Sequence, residues 1–216
     1  KNFIPIAPQK VKKYFPTQAK NSNFLKQILL SKGFQEIITN PLRDITKQTK
    51  NSIVIKNPLN NEFHFLRMTL LEKIIDVFEI NLRLRNNPTN CFEIGRVFDK
   101  LERDGFKERE NIAGIFQLGR FKKGEKPTTE WFIAKGFIEN LLAHFGYKKI
   151  QFEKLTDKNS LFHPTKSVIV KWNENTLGVF GEINPAIENF KSLKFSTYIF
   201  EFSMEFLTKS RMVSAI

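Results

Sequence analysis

The way extended segments crowd the second half of this chain limits its fold more than any other feature. Strand patterns recur at Cys91–Phe98 and Asn111–Leu118, and again near 150–155, 167–172, 177–183 and 197–203. A single strong helical pattern, Trp131 to Phe145 with Gly146 behind it, lies among them. Parallel neighbours need a crossover of a dozen or more residues, usually a helix, so strands that follow one another directly must turn back on themselves. The expected class is therefore α+β, with a mostly antiparallel sheet and helices on one side. The alternating order of a doubly wound sheet is absent.

The first half supplies the covering layer. Residues 1–20 hold Pro5, Pro8 and Pro16 with Lys10, Lys12 and Lys13, and read as a lead-in from a preceding domain. Asn21 or Ser22 can cap a helix carrying Phe24, Leu25, Ile28 and Leu29, and Gly33 is placed to end it. Gln35–Thr39 and Ser52–Lys56 read as short strands, closed by Asn40-Pro41 and Asn57-Pro58. The longest helical pattern runs from Leu66 to Arg85, where Leu70, Leu71, Ile74, Ile75, Phe78 and Leu82 make one broad apolar stripe. Phe63 and Phe65 alternate with Glu62 and His64, which fits an edge strand with one docked face or an ordinary core-facing strand. The densely charged run Asp99 to Glu110 reads as a solvated hairpin loop. A short helix is expected after Pro185. On this reading 21–207 form the core module, and 208–216 are a linker behind it.

Composition excludes several classes. With 41% apolar residues among 216, a sizeable core can form and wholesale disorder is ruled out. No run of about 18 apolar residues exists, so no membrane helix is expected. The start at Lys1 lacks an apolar signal region and reads as an internal cut. The lone Cys91 forbids an intrachain disulfide or a thiolate metal site. His64, His144 and His163 lie too far apart in sequence to suggest a ligand pair, and no metal site is expected. The net charge of +13 invites a nucleic-acid partner. Yet 26 Lys stand against 9 Arg, and Asn, Ile and Phe number 19, 22 and 23. All four types are favoured by A+T-rich codons, so drift in base composition is the other source of the charge. The excess of Lys fits drift better, because bidentate phosphate contacts favour Arg.

Chemistry-bearing motifs are few. There is no Gly-rich phosphate loop at a strand-to-helix turn and no serine in a nucleophile elbow. Glu93 and Glu182 each lie inside an otherwise apolar strand. A carboxylate there points to water on an alternating face, or it must meet a groove, a partner or a donor. His64 and His144 read as satisfied or surface residues, His163 before Pro164 as structural, and Trp131 as the anchor that starts its helix.

A set of local segments then forms a recognisable series. Gly33–Thr39, Asn57-Pro58-Leu59-Asn60-Asn61-Glu62, Leu66–Leu71 with Arg67, Asn81 and Arg83, and Phe92-Glu93-Ile94-Gly95-Arg96-Val97-Phe98 come first. Ala113-Gly114, Lys135-Gly136, Glu139–Leu142, Phe162-His163-Pro164, Gly178, Gly181-Glu182-Ile183-Asn184-Pro185 and Phe200-Glu201 come after them. In this order and spacing, over roughly residues 3–207, the chain resembles the beta subunits of bacterial-type phenylalanyl-tRNA synthetases, in their catalytic-like module. The resemblance implies a class II synthetase fold and an enzyme, a ligase that charges tRNA(Phe) with phenylalanine using ATP and magnesium. It implies a catalytic alpha subunit as partner, an α2β2 tetramer, and no membrane. It also implies that the beta module copies the fold and not the chemistry.

The residues permit a first test of that division. A class II site holds the ATP α-phosphate with an Arg just beyond its second-motif strand, and the γ-phosphate with an Arg in a Gly-rich strand–helix motif near the end. Here Asp99-Lys100 follow the strand, and Gly178–Pro185 contains no Arg. Arg96 is the nearby cation, a relic catalytic residue or a structural one. No catalytic or cofactor-binding residue is therefore assigned. Asn57, Pro58, Leu59, Arg67, Arg83, Glu93, Gly95, Arg96, His163, Pro164, Gly181 and Glu182 are the structural or subunit-interface candidates. After His163-Pro164 the family usually has Gly-Arg, where this chain has Thr165-Lys166, and the pairing of that Arg is put in doubt. The acidic magnesium cluster of the family is not found in 1–20. Composition and resemblance together suggest a plastid protein of the chloroplast stroma, with the bacterial cytoplasm as the alternative. An RNA-binding domain without an enzyme partner is the competing functional reading.

Overall fold

The computed structural model describes residues 17–44, 52–58, 63–84, 90–101, 105–118, 128–156, 161–187 and 196–209. Leu59 and most of the lead-in fall outside these ranges. The strands predicted in the second half all form. They are β5 (Cys91–Lys100), β6 (Phe106–Gln117), β7 (Gln151–Lys154), β8 (Phe162–Trp172), β9 (Asn175–Ile183) and β10 (Thr197–Ser203). With β1 (Gln35–Glu36) they make a seven-stranded sheet in the order β1-β5-β6-β10-β9-β8-β7. Every pairing is antiparallel except β1 with β5. That parallel contact is open to β1 because helix α2 (Leu71–Arg83) lies between the two strands in the chain, so no tight hairpin joins them.

Helices cover both faces, not one. Period two along the strands decides which residues meet which helix. Phe92, Ile112, Phe116, Tyr198, Phe200 and Phe180 face α1 (Thr17–Ser31) and α3 (Thr128–Ala143), packing on Leu25, Leu29, Ile138, Leu142 and Phe145. Cys91, Val97, Ala113, Ile115 and Ile199 face α2, through Leu71, Ile74, Ile75 and Phe78. A chain whose strands are apolar on both faces needs both layers, because either exposed face would form a large apolar patch.

Local chemistry explains most boundaries. Gly33 has φ +82°, its N–H reaches the Leu30 carbonyl and the Phe34 N–H reaches Leu29, which is the paired closure of a helix end. The helix itself begins at Thr17 and not at Asn21, which is buried within it. Its first turns carry no apolar periodicity, so the sequence pattern starts only at Phe24. The long helix likewise begins at Leu71, because Phe63–Leu66 form strand β4. β4 is central, between β2 (Leu42–Asp44) and β3 (Ile53–Val54), so it is not an edge strand. The charged run is also shorter as a loop than expected. β5 and β6 stay paired out to Lys100 and Phe106, and Asp99 sits opposite Lys107 within the ribbon. Its charges solvate the faces of an extended hairpin arm. Pro185 opens a turn over 185–187, and the short helix expected after it falls on 188–195, outside the described residues. At the chain's far end β10 runs directly into the short helix α4 (Met204–Lys209).

Candidate functional site

The face under α2 carries two polar centres, and the stretch Arg67–Leu70 that leads into the helix feeds both. At the first, Arg67 is 4% exposed and Glu93 is 2% exposed. Arg67 Nη1 donates to Glu93 Oε1 at 2.8 Å and to Thr39 Oγ1 at 2.9 Å, and the Thr39 hydroxyl donates to Glu93 Oε2 at 2.6 Å. Arg67 Nε donates to the Arg96 carbonyl at 2.8 Å, and the Phe98 N–H donates to the Arg67 carbonyl at 3.0 Å. The guanidinium lies over Gly95, where an added methyl would overlap Arg67 Nη2 and crowd Glu93 Oε1 at 3.1 Å. Arg67, Glu93, Gly95 and the backbone of Arg96 are thus one unit tying the small sheet to β5. Glu93 does not point to water on an alternating face, since its strand position faces the helix layer. The Arg96 side chain does point outward, pairing with Glu108 at 2.9 Å on the exposed ribbon. Nearby, buried Arg43 of β2 holds Glu72 in the first turn of α2, with Nη2 to Oε1 at 2.8 Å.

The second centre forms the floor of a cleft of about 460 Å³, where α2 no longer covers the sheet. Met68, Arg109, Asn111, Val179, Glu201 and Phe206 are among its walls. Glu201 on β10 accepts from Asn111 Nδ2 at 2.7 Å, from the Leu70 N–H at 3.3 Å and from the Thr69 hydroxyl. Burial pushes its carboxyl above the usual range, against the pull of those three donors and of Arg109. Arg109 is itself held by Asp99 in a two-toothed pair, with Nη2 to Oδ1 at 2.9 Å. The cleft therefore does contain cations, Lys107 and Arg109, which lie neither just beyond β5 nor within Gly178–Pro185. The strand–helix passage is also not the one expected from the sequence. β9 ends in a turn, while the strand beside β6 that enters a helix is β10, at Ser203-Met204-Glu205, where no Arg stands either. Glu201 was missed as a buried carboxylate, although it breaks the apolar run Tyr198–Phe202 as Glu93 breaks its own strand.

Among the described residues no three His, Cys, Asp or Glu side chains come together as a metal site. Nor is any helix there long and apolar enough to cross a membrane.

Residues 2–204 match the family described as phenylalanyl tRNA synthetase beta chain CLM domain. The chain belongs to this family. Relatives include the phenylalanine–tRNA ligase beta subunit of Trichormus variabilis, 35% identical over 95% of this chain and 26% of that protein. The chloroplastic beta subunit of Phaeodactylum tricornutum is 29% identical over 97% of this chain and 30% of that protein. The chain thus spans between a quarter and a third of the length of these two. A pyrrolysyl tRNA synthetase of Desulfitobacterium hafniense superposes with a TM-score of 0.67 at 16% identity, over 92% of this chain and 70% of the other. That likeness concerns the fold, which is of the class II synthetase kind.

Within the beta-chain CLM family the other candidates take structural places. Lys166, the position put in doubt by the sequence, pairs with Glu182 at 2.7 Å. Glu182, like Glu93, meets a partner. Gly181 lets β9 approach β8, where a methyl would come within 2.8 Å of the Lys166 carbonyl. His163 Nδ1 accepts from the Thr165 N–H at 3.1 Å, across Pro164, where the β8–β9 register shifts. Proline is tolerated in a strand at such an irregularity. Trp131 stacks on Phe180 with ring centres 5.3 Å apart, as an anchor for α3. Asn57 and Pro58 lie just after β3, and Arg83 closes α2 beside Glu79 at 3.4 Å. These three stand outside both polar centres.

Proposed function

We propose that this chain is the catalytic-like module of a phenylalanyl-tRNA synthetase beta chain, and that it supports a catalytic alpha subunit without activating phenylalanine itself. The observation that carries the reading is the electrostatics of the α2-side cleft. Activation of an amino acid by ATP builds negative charge on the α-phosphorus, and preorganised cations must meet it. In this cleft Arg109 is held by Asp99, and the floor is the buried carboxyl of Glu201 with Glu205 on the wall. Of the two cations lining the cleft, Arg109 is already paired with Asp99, so a triphosphate would meet Lys107 beside Glu205 on the wall, over a floor that offers a carboxyl in place of a cation. These residues do not fit ATP.

The module then acts through surface and fold. Its relatives are named as subunits of a ligase, which favours an alpha subunit as partner, an α2β2 assembly, tRNA(Phe) as the substrate of the whole enzyme, and ATP with magnesium bound elsewhere in it. The chloroplastic relative and the A+T-driven composition favour the plastid stroma over a bacterial cytoplasm. Co-expression with an alpha subunit tests the partnership: the expected result is a stable complex on gel filtration. Phenylalanine-dependent ATP–pyrophosphate exchange by the beta chain alone is expected at background, and exchange clearly above it would overturn the passive role.

A further inference from the structure

On the opposite face, beside the edge strand β7, the start of α3 and the strand β8 enclose a half-open cavity of about 540 Å³. Trp131, Phe132, Lys154, Thr165, Lys166 and Val168 line it. Trp131 is a fixed wall through its stack on Phe180. The next residue, Phe132, is 66% exposed, so an aromatic ring stands free at the mouth. Lys154 pairs with Val168 in the sheet and so shares the face that α3 covers. The acids of this edge are matched elsewhere: Glu182 by Lys166 at 2.7 Å, Glu153 by Lys171 at 2.6 Å and Glu139 by Lys135 at 3.7 Å. Among the described residues Lys154 has no ion pair of its own. Glu130 remains as an acid in the first turn of α3, against the positive end of that helix's dipole.

An exposed ring beside an unmatched cation is complementary to a planar group carrying negative charge. The volume suits one such group and not an extended peptide groove. The chain's charge of +13 draws polyanions to it at long range. We propose that this cavity binds an unpaired nucleotide of an RNA strand, with the base on Phe132 and the phosphate at Lys154. It would give the module a direct RNA contact, on the face opposite the α2-side cleft.

The test is fluorescence anisotropy of the full beta chain with a fluorescein-labelled unpaired RNA of 12 nucleotides. Phe132→Ala is expected to weaken binding about tenfold, and Phe132→Trp to keep it, as loss and retention of one stacked base. Lys154→Ala is expected to weaken binding and lower the slope of log affinity against log salt by about 0.7, one phosphate's worth on a single strand. Lys149→Ala removes the same charge from the turn after α3 and is expected to change the slope by much less. Equal binding by the parent and Phe132→Ala would overturn the proposal, as would equal salt slopes for the two lysine variants. Displacement of the RNA by AMP at low excess would make this a site for free nucleotides. Displacement by an acidic tyrosine-containing peptide would make it a protein contact. Either result overturns the assignment to RNA. Circular dichroism melting of each variant confirms that the fold is intact, and the alpha-subunit partnership stands or falls separately by co-purification.

Discussion

Glu93 and Glu201 lie on the same face of the same sheet, under the lead-in and first turn of the same helix, yet their charges are met in opposite ways. Glu93 faces a buried guanidinium and a hydroxyl. Glu201 faces an amide, a hydroxyl and a backbone N–H, while the nearest cation is held by Asp99. Both sets of partners come in part from one short stretch, with Arg67 reaching towards β5 and Thr69 and Leu70 towards β10. The segment before α2 is therefore a clamp across the sheet, ionic at one jaw and neutral at the other. A buried ion pair whose members are fully hydrogen-bonded is hard to break from one side only, whereas a buried carboxyl with neutral donors shifts towards its protonated form.

The largest effect should come from breaking the ionic jaw. Arg67→Ala strands Glu93 without its counter-charge and is expected to cost about 3–5 kcal/mol in urea unfolding. The double variant Arg67→Met with Glu93→Leu is expected to recover most of that loss, since a packed apolar pair of similar volume replaces the buried ions. A loss below about 1 kcal/mol for Arg67→Ala would erase the contrast between the two centres. Gly95→Ala should come next, at about 1–3 kcal/mol, because its methyl must displace the guanidinium. In the double-variant background the same change should cost clearly less, since the two sites touch and their effects do not add. Equal costs in both backgrounds would mean that the glycine answers to the backbone and not to Arg67.

Half of this contrast was readable in the residues. A carboxylate inside an apolar strand points to water or must meet a partner, and with both alternatives open Glu93 and Glu182 were singled out; the structure gives each a cationic partner. Antiparallel pairing was readable because most successive strand patterns follow one another without a crossover helix, whereas the strand order was not, since β10 inserts between β6 and β9 from far along the chain. The partner of Glu93 was not readable, since Arg67 lies 26 residues earlier and only the small sheet brings the two together. Helix starts at Thr17 and Leu71 were missed for a local reason. Polar first turns show no apolar period, and Phe63–Leu66 has enough apolar residues to look like the opening of the stripe beyond it. Lys107 and Arg109 looked like loop charges because alternation is invisible when both faces of a ribbon are charged. The open cleft itself comes from where α2 stops covering the sheet, which no local pattern encodes.

The neutral jaw gives the subtlest prediction, and its sign is set by the direction of the Glu201 shift. An unfolded glutamate titrates near about 4.3, and burial raises the folded value above that. Between the two values the folded protein holds a proton that the unfolded chain has lost, so stability falls as pH rises through that window. Below the unfolded value the stabilising difference is fully present, and above the folded value it is gone. Glu201→Gln cannot titrate, keeps an acceptor for Asn111 or the Leu70 N–H, and offers its own N–H to the Thr69 hydroxyl. Its unfolding free energy at neutral pH is expected within about 1 kcal/mol of the parent. It should also lack the decline that the parent shows on going up from pH about 4.3. Glu93→Gln, which removes the counter-charge of a buried guanidinium, should by contrast be destabilised throughout the neutral range. Parallel stability curves for the parent and Glu201→Gln from acid to neutral pH would show that Glu201 is ionised like an exposed carboxylate, and the two jaws would then be electrostatically alike.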